Sequence, residues 1–405
     1  MKYRLLLFKR QVEDLLMLPL IFLGRMMARI KPLEKEYRIF FFFPFYHIGG
    51  AEKVHLNIAK AIGGNDCIIF FTRKSQNKLF YDEFASSGCV IKDISRYTDN
   101  KWLYFNNIIF RGILSGYCNG QKNKPVVFNG QCNFGYKISP WVVKNIPQIE
   151  LIHSLCSFSY IRIPFLPFIT RTVMISTIRI QEHLDLYRRY GIPQKLGEKI
   201  RFIMNGIDLP PVKPSSQGQQ EEITVLYVGR STPEKRVHLV AQIAALVKQT
   251  TNKIHFTFLG EVKEAIPPAY HYCCTFLGNQ SDPEVIDQVY RQASILILVS
   301  DTEGFPMVVM EAMARGLAII ATSVGEIPLH IKNGVNGFLI TDYKNEKTVI
   351  SESIRYILQL YEDQKLLHEI SANNIDYAFT RFGMQRFVDD YAQLVNEVKQ
   401  DDTAP

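Results

Sequence analysis

The sequence predicts an α/β protein built as two Rossmann-like domains, each a parallel sheet flanked by helices, facing across a cleft. Three observations lead there. The chain has 405 residues, more than one ordinary domain holds and enough for two. Short apolar runs alternate with stretches of helical periodicity, which is the pattern of a parallel sheet. That alternation stops at a tract rich in Pro, Ser and Gln, 209–220, and then restarts.

In the first half, Arg38 to Phe43 carries four consecutive phenylalanines and reads as a strand buried on both faces. His47-Ile48-Gly49-Gly50 forms the loop after it. Residues 51–62 have apolar positions at helical spacing. Further strands are predicted at 67–71, 126–128 and 149–153, the last ending at His153. After the linker, strands are predicted at 223–228, 254–259, 294–299 and 318–322. Helices are predicted at 237–248, 285–292, 307–315 and 387–398. The implied segments are 1–35, a basic amphipathic arm; 36–208, a first domain; 209–222, a linker; 223–378, a second domain; and 379–405, a terminal helix and tail.

Composition narrows the class. Hydrophobic residues make up 47% and charged residues 21%, as in a globular chain with a sizeable core. The net charge of +8 is unevenly spread: residues 1–35 hold eight cations against three acids, a balance of +5. No zinc-finger spacing, RNP-like aromatic run or basic stripe accompanies it, so nucleic acid is not the expected partner. Seven scattered cysteines with no C-x-x-C pair fit a reducing cytoplasm.

The arm contains a ten-residue apolar run, Leu15 to Gly24. This is about half of what a membrane-spanning helix needs. No small-x-small cleavage site follows it, as a signal peptide requires. A helix lying on the anionic inner face of the plasma membrane is expected, its apolar side dipping in and its cations at headgroup level. A terminal helix packed on the protein itself is the alternative.

The chemistry-bearing residues cluster after predicted strands, where open α/β sheets bind ligands. In Ser300 to Gly316, Glu303 lies in the turn before a helix and Glu311 about one turn inside it, with Gly304, Phe305 and Pro306 between. Pro306 is expected at the first helical position, where its missing N–H costs nothing. Free N–H groups at the helix start favour an anion such as a sugar-nucleotide pyrophosphate, and carboxylates nearby can accept hydrogen bonds from sugar and ribose hydroxyls. Gly229 permits a tight exit from the strand ending at Val228. Arg230 and Lys235 follow it, five apart, a planar fork and a point charge able to reach one diphosphate. In the first half, Gly49 and Gly50 let backbone approach a ligand, Glu52 complements a helix start, and His153 stands at a strand's carboxyl end. No metal-binding motif is present, and no Walker A or G-x-S-x-G sequence.

These motifs, Tyr227-Val228-Gly229-Arg230 with Pro233-Glu234-Lys235, Phe276-Leu277-Gly278, Glu303-Gly304-Phe305-Pro306 with Glu311 to Gly316, and Asn336-Gly337, resemble the nucleotide-sugar domain of retaining glycosyltransferases of family four, which have the GT-B fold. Gly49-Gly50-Ala51-Glu52 and His153 are similar to that family's acceptor-domain marks. The resemblance implies that Arg230 and Lys235 bind the donor diphosphate, so that no metal and no cofactor is needed. Glu303 would hold donor-sugar hydroxyls, Glu311 the ribose diol, and His153 would lie beside the donor sugar. The implied activity is transfer of a sugar from a UDP- or GDP-sugar to a glycan or lipid-linked saccharide in cell-surface polymer synthesis such as lipopolysaccharide. A sugar-nucleotide epimerase or phosphorylase, or an inactive scaffold on the same fold, is the alternative. Two departures stand out. Gly316-Leu317-Ala318 lacks the family's proline, and Glu326 replaces its second glycine, putting an acid where it can oppose the donor phosphates.

Overall fold

The computed structural model describes residues 2–47, 49–211 and 221–400. The chain forms two compact units: one up to Asn205 and again from Gln385 onward, the other Gly206–Met384. Most of the expected linker, 212–220, lies outside the described residues.

Unit one is a seven-stranded parallel sheet in the order β3-β2-β1-β4-β5-β6-β7. Its strands are β1 (Ile39–Phe43), β2 (Cys67–Phe71), β3 (Val90–Asp93), β4 (Val126–Gly130), β5 (Gln148–Ile152), β6 (Arg171–Met174) and β7 (Ile200–Phe202). Helices cover both faces, so the central strands are buried on both sides. Phe40 to Phe43 are all wholly inaccessible, each contributing roughly 1.5–3 kcal/mol by leaving water. Strand order reverses between β1 and β4. The carboxyl end of β1 at that crevice leads to Gly49 and Gly50, and His153 follows β5, the next strand beyond β4.

Unit two repeats the plan with six parallel strands, β10-β9-β8-β11-β12-β13. These are β8 (Ile223–Val228), β9 (Ile254–Leu259), β10 (Cys274–Phe276), β11 (Ile295–Leu298), β12 (Ala318–Thr322) and β13 (Gly337–Ile340). Its order reverses between β8 and β11, the strands that carry the Arg230/Lys235 and Glu303 loops.

Three expectations shift. The terminal helix Met384–Gln400, expected as a segment of its own after the second domain, joins unit one from Gln385 on, where Tyr391 is fully buried with its ring 6.2 Å from Phe128. Pro306 caps the helix Met307–Ala314 from outside instead of opening it. The basic arm forms a 29-residue helix, Lys2–Ile30, that packs on unit one along one stripe. Its buried residues Tyr3, Arg10, Ile21, Gly24 and Ala28 share a face at coiled-coil spacing. The close contact is made by small residues. A Cβ on Gly24 would sit 2.1 Å from the Ile109 carbonyl oxygen, and one on Gly112 2.3 Å from that of Ile21. Thus Gly24-x-x-x-Ala28 meets Gly112-x-x-x-Gly116 of the helix Tyr104–Asn119 backbone to backbone. No helix among the described residues is long and apolar enough to cross a membrane.

Candidate active site

In unit two, β8 ends at Val228 and the chain turns at Gly229, where a Cβ would sit 2.9 Å from the phenol oxygen of Tyr227 and displace it. That phenol donates to the Arg230 carbonyl at 3.0 Å and fixes the loop. A short turn, Pro233–Lys235, follows. Arg236 then adopts φ 48°, unusual for a residue with a side chain. Its guanidinium offsets the strain by donating to the carbonyls of Val299 and Tyr343, both at 2.7 Å. This clamp ties the loop after β8 to the loop after β11, and Asp301 N–H donating to the Glu234 carbonyl at 2.9 Å reinforces it.

The clamp sets Lys235 against Glu303. Lys235 Nζ donates to Glu303 Oε1 at 2.6 Å, and Ser300 Oγ donates to the same oxygen at 2.7 Å. Both side chains are largely buried. Arg230, by contrast, is 70% exposed, with its nearest acid, Glu234, at 4.0 Å. One predicted cation is docked on the predicted acid, while the other projects into solvent where it can fold onto an arriving anion.

Phe305 is buried and its ring stacks on His330, centroids 4.0 Å apart. That contact holds the Gly304-Phe305-Pro306 turn under the start of Met307–Ala314, which no side chain caps. The first N–H groups of a helix lack intrahelical partners and can serve an anion. Glu311, in the middle of this helix, accepts a hydrogen bond from the Tyr290 phenol at 2.8 Å. Burial first, and the Glu311 charge second, push the Tyr290 phenol well above its ordinary pKa, so it remains a donor.

Gly325 explains the glycine in the loop after β12. Its φ is +56°, and a Cβ there would meet the carbonyl oxygens of Glu303 and Gly304 at 2.3 Å each. The expectation for Glu326 changes. Its N–H donates to the Gly304 carbonyl at 2.9 Å, and its side chain is buried with Oε2 3.9 Å from His330 Nε2. The acid is turned into the core and supports the Glu303 loop, where the sequence suggested a charge opposing donor phosphates.

In unit one, His153 follows β5 directly. Its N–H donates to Gln131 Oε1 at 3.0 Å, and Gln131 itself sits at φ 55° after β4. Opposite stands His55, on the helix Gly50–Ile62, with Nε2 3.0 Å from Nε2 of His153. Phe43 stacks on the His55 ring at 4.6 Å. Burial lowers both imidazoles: His153 to about 4, and His55 well below its usual value with His153 as second cause. Gly49 is the residue before that helix. A Cβ there would strike Glu52 Oε2 at 2.2 Å, whereas nothing lies within 4 Å of a Cβ built on Gly50.

Sequence reasoning missed His55, Tyr290, Gln131 and Arg236. For His55 a signal existed: it interrupts the inward stripe His55-Ile58-Ile62 of an amphipathic helix with a titratable group. Arg236 carried none, being one more cation beside Lys235.

Comparison with known proteins follows this geometry. Residues 211–376 match the family described as glycosyl transferases group 1. The chain is 28% identical over 127 residues to N-acetyl-alpha-D-glucosaminyl L-malate synthase of Bacillus anthracis, covering 31% of each chain. It is 25% identical over 181 residues to lipopolysaccharide 1,2-N-acetylglucosaminetransferase of Salmonella typhimurium, covering 41% of this chain and 46% of that one. These matches therefore span less than half of each curated relative. Among solved structures, Anabaena HepE in complex with UDP and glucose superposes with a TM-score of 0.69 at 17% identity, over 89% of this chain and all of that one. A likeness at that identity speaks for the fold, and the fold is GT-B. The segment that matches glycosyl transferases group 1 is the one that holds the Lys235–Glu303 pair.

Proposed function

We propose that this protein is a retaining, metal-independent glycosyltransferase that moves a sugar from a UDP- or GDP-sugar to a glycan or lipid-linked saccharide. The observation that carries the reading is the Lys235–Glu303 pair at 2.6 Å beside the exposed Arg230, at the switch point of unit two. Lys235 and Arg230 neutralise the diphosphate as charge builds on it, acting as electrostatic catalysts without a metal or other cofactor. Glu303 orients the donor-sugar hydroxyls, assisted by backbone N–H groups around Phe305 and Pro306. Glu311, aimed by Tyr290, binds the ribose diol. Gly229, Gly49, Gly50 and Gly304 let backbone approach the donor. His153 contacts the transferred sugar.

In the reaction, the acceptor oxygen bonds to the anomeric carbon on the face the diphosphate leaves. The carbon–oxygen bond to phosphate breaks with its electron pair going to the diphosphate, and the acceptor proton passes to the departing phosphate oxygen. A UDP-sugar is supported by the UDP and glucose in HepE, and a cell-surface saccharide acceptor by the lipopolysaccharide relative. That setting corresponds to the cytoplasmic face of the plasma membrane.

Thermal shift with UDP, GDP, ADP and their sugars, on wild type and Glu311→Ala, tests the donor site. One nucleotide should stabilise the wild type and not the variant. Product anomers read by NMR test retention. If no UDP- or GDP-sugar releases its nucleoside diphosphate with any saccharide acceptor, the reading fails.

A further inference from the structure

The helix Lys2–Ile30 has a second stripe. Opposite the face packed on unit one, Leu5, Phe8, Leu15, Leu16, Phe22 and Ile30 are all at least 63% exposed. Apolar residues at this spacing keep one outward face along the helix for roughly 40 Å. The stripe does not stand alone. Trp102, 94% exposed, and Phe105, 70% exposed, open the neighbouring helix Tyr104–Asn119. Arg111 links the two elements: its Nη1 lies 3.1 Å from Met17 Sδ, and its guanidinium hydrogen-bonds Tyr104.

Charge on the arm divides in the same way. Arg10 and Arg25 turn inward, Arg10 donating to the Pro164 carbonyl at 3.3 Å and Arg25 to the Trp141 carbonyl at 2.8 Å. Lys2, Arg4, Lys9 and Arg29 are exposed along the helix. Their positions on the helical wheel put them on the two borders of the apolar stripe. Such an apolar band edged by cations matches the depth profile of an anionic lipid surface, where acyl chains lie beneath negative headgroups.

We propose that the outer face of Lys2–Ile30, extended by Trp102 and Phe105, is a membrane-docking surface that lies flat on an anionic phospholipid leaflet, with the inner face of the same helix fixing unit one to it. The small-residue contact makes the helix a rigid part of unit one and not a flexible tether, so docking orients the whole unit. A second copy of the chain is a poorer occupant, because pairing this face with itself brings the same cations together.

The full-length protein tests this with flotation on phosphatidylcholine vesicles with and without phosphatidylglycerol. Trp141→Phe leaves Trp102 as the single tryptophan, since the chain has two. Its emission should shift to the blue and be quenched by brominated lipid only with anionic vesicles. The double substitution Leu15→Ser/Phe22→Ser, at exposed positions that leave the packed stripe intact, should lower vesicle partitioning about tenfold or more with an unchanged melting temperature. Equal flotation of wild type and that variant overturns the proposal, as does a Trp102 emission indifferent to anionic vesicles. A lipid-independent dimer of the wild type that becomes monomeric in the variant overturns it in favour of self-association.

Discussion

His55 and His153 meet through their Nε2 atoms at 3.0 Å, and this contact sets the proton on each ring. Of the two nitrogens one must donate and the other accept. His55 Nδ1 is buried without a hydrogen-bond partner. An N–H stranded there is costlier than a lone pair, so His55 carries its proton on Nε2 and donates it. His153 then accepts at Nε2 and keeps its own proton on Nδ1, toward the carboxyl end of β5. His153 is thereby a neutral hydrogen-bond donor instead of a base.

The pH dependence follows with a definite sign. Burial lowers His153 from 6.5 to about 4, so protonation is resisted until the pH falls well below the ordinary imidazole range. Turnover should be insensitive to His153 between pH 6 and 8, with its acid limb near pH 4. His55→Phe should leave nucleotide affinity intact, lower kcat about tenfold, and alter the His153 tautomer seen in nitrogen-detected NMR. An unchanged His153 spectrum in that variant would refute the assignment.

Lys235 and Glu303 are coupled, and their variants should differ in kind. Lys235→Ala removes the charge proposed to neutralise the diphosphate and leaves Glu303 held by Ser300 Oγ at 2.7 Å. Its kcat/KM should fall about a hundredfold or more. Glu303→Gln keeps the shape and loses the acceptor charge for sugar hydroxyls. It should reduce kcat while binding of free nucleoside diphosphate stays near wild type, which isothermal titration can separate.

Much of this arrangement was legible in the sequence. β1, β8 and β11 are apolar runs with both faces buried, a pattern that marks a central parallel strand. Gly229, Arg230 and Lys235 fall one to seven positions beyond the end of β8, and Glu303 to Pro306 five to eight beyond the end of β11, where an open sheet binds ligands. Less legible were β3, β7 and β10, edge strands of three or four residues with part-exposed side chains, whose alternation is too short to detect. The face of Lys2–Ile30 that packs on unit one was hidden for another reason: its contact is made largely by small residues, Gly24 and Ala28, which add little to an apolar periodicity. Return of Met384–Gln400 to unit one is a tertiary choice by Phe387 and Tyr391, invisible in local pattern. Glu326 misled because a linear motif does not state which way a side chain turns.

Tyr290→Phe should weaken nucleotide binding roughly tenfold, the loss expected for one hydrogen bond to a charged group. Glu311→Ala should weaken it further, because the carboxylate itself goes. Titration calorimetry at one pH compares them. A Tyr290→Phe protein that binds like wild type would mean that the helix alone aims Glu311.

Beneath His153, β5 carries a buried ion pair. Glu150 Oε1 lies 2.5 Å from Arg162 Nη1 and accepts from Thr172 Oγ1 at 2.6 Å, while Arg162 Nη2 donates to the Tyr187 phenol at 2.6 Å. Neither charged side chain touches solvent. Arg162→Met strands the carboxylate and should destabilise unit one by about 3–5 kcal/mol, whereas Arg162→Met/Glu150→Leu should recover most of that loss. Guanidinium unfolding of both variants checks the order. A double variant no better than the single would show that the pair, not the stranded charge, supplies the stability.

Gly325 offers the sharpest separation of loop geometry from chemistry, since it has no functional group to lose. At φ +56° a side chain is strained, and a Cβ would stand 2.3 Å from the carbonyl oxygens of Glu303 and Gly304. These are backbone atoms, so the Glu303 turn itself must move. Gly325→Ala should therefore reproduce the kcat loss of Glu303→Gln, with a melting temperature lowered by only a few degrees because the sheet is untouched. A control exists in Gly304, where a Cβ meets nothing within 4 Å. Gly304→Ala should fold normally, and any effect on turnover reports donor approach to the backbone. If Gly325→Ala turns over like wild type, the Glu303 loop tolerates displacement, and the 2.6 Å contact with Lys235 is not what holds the donor sugar.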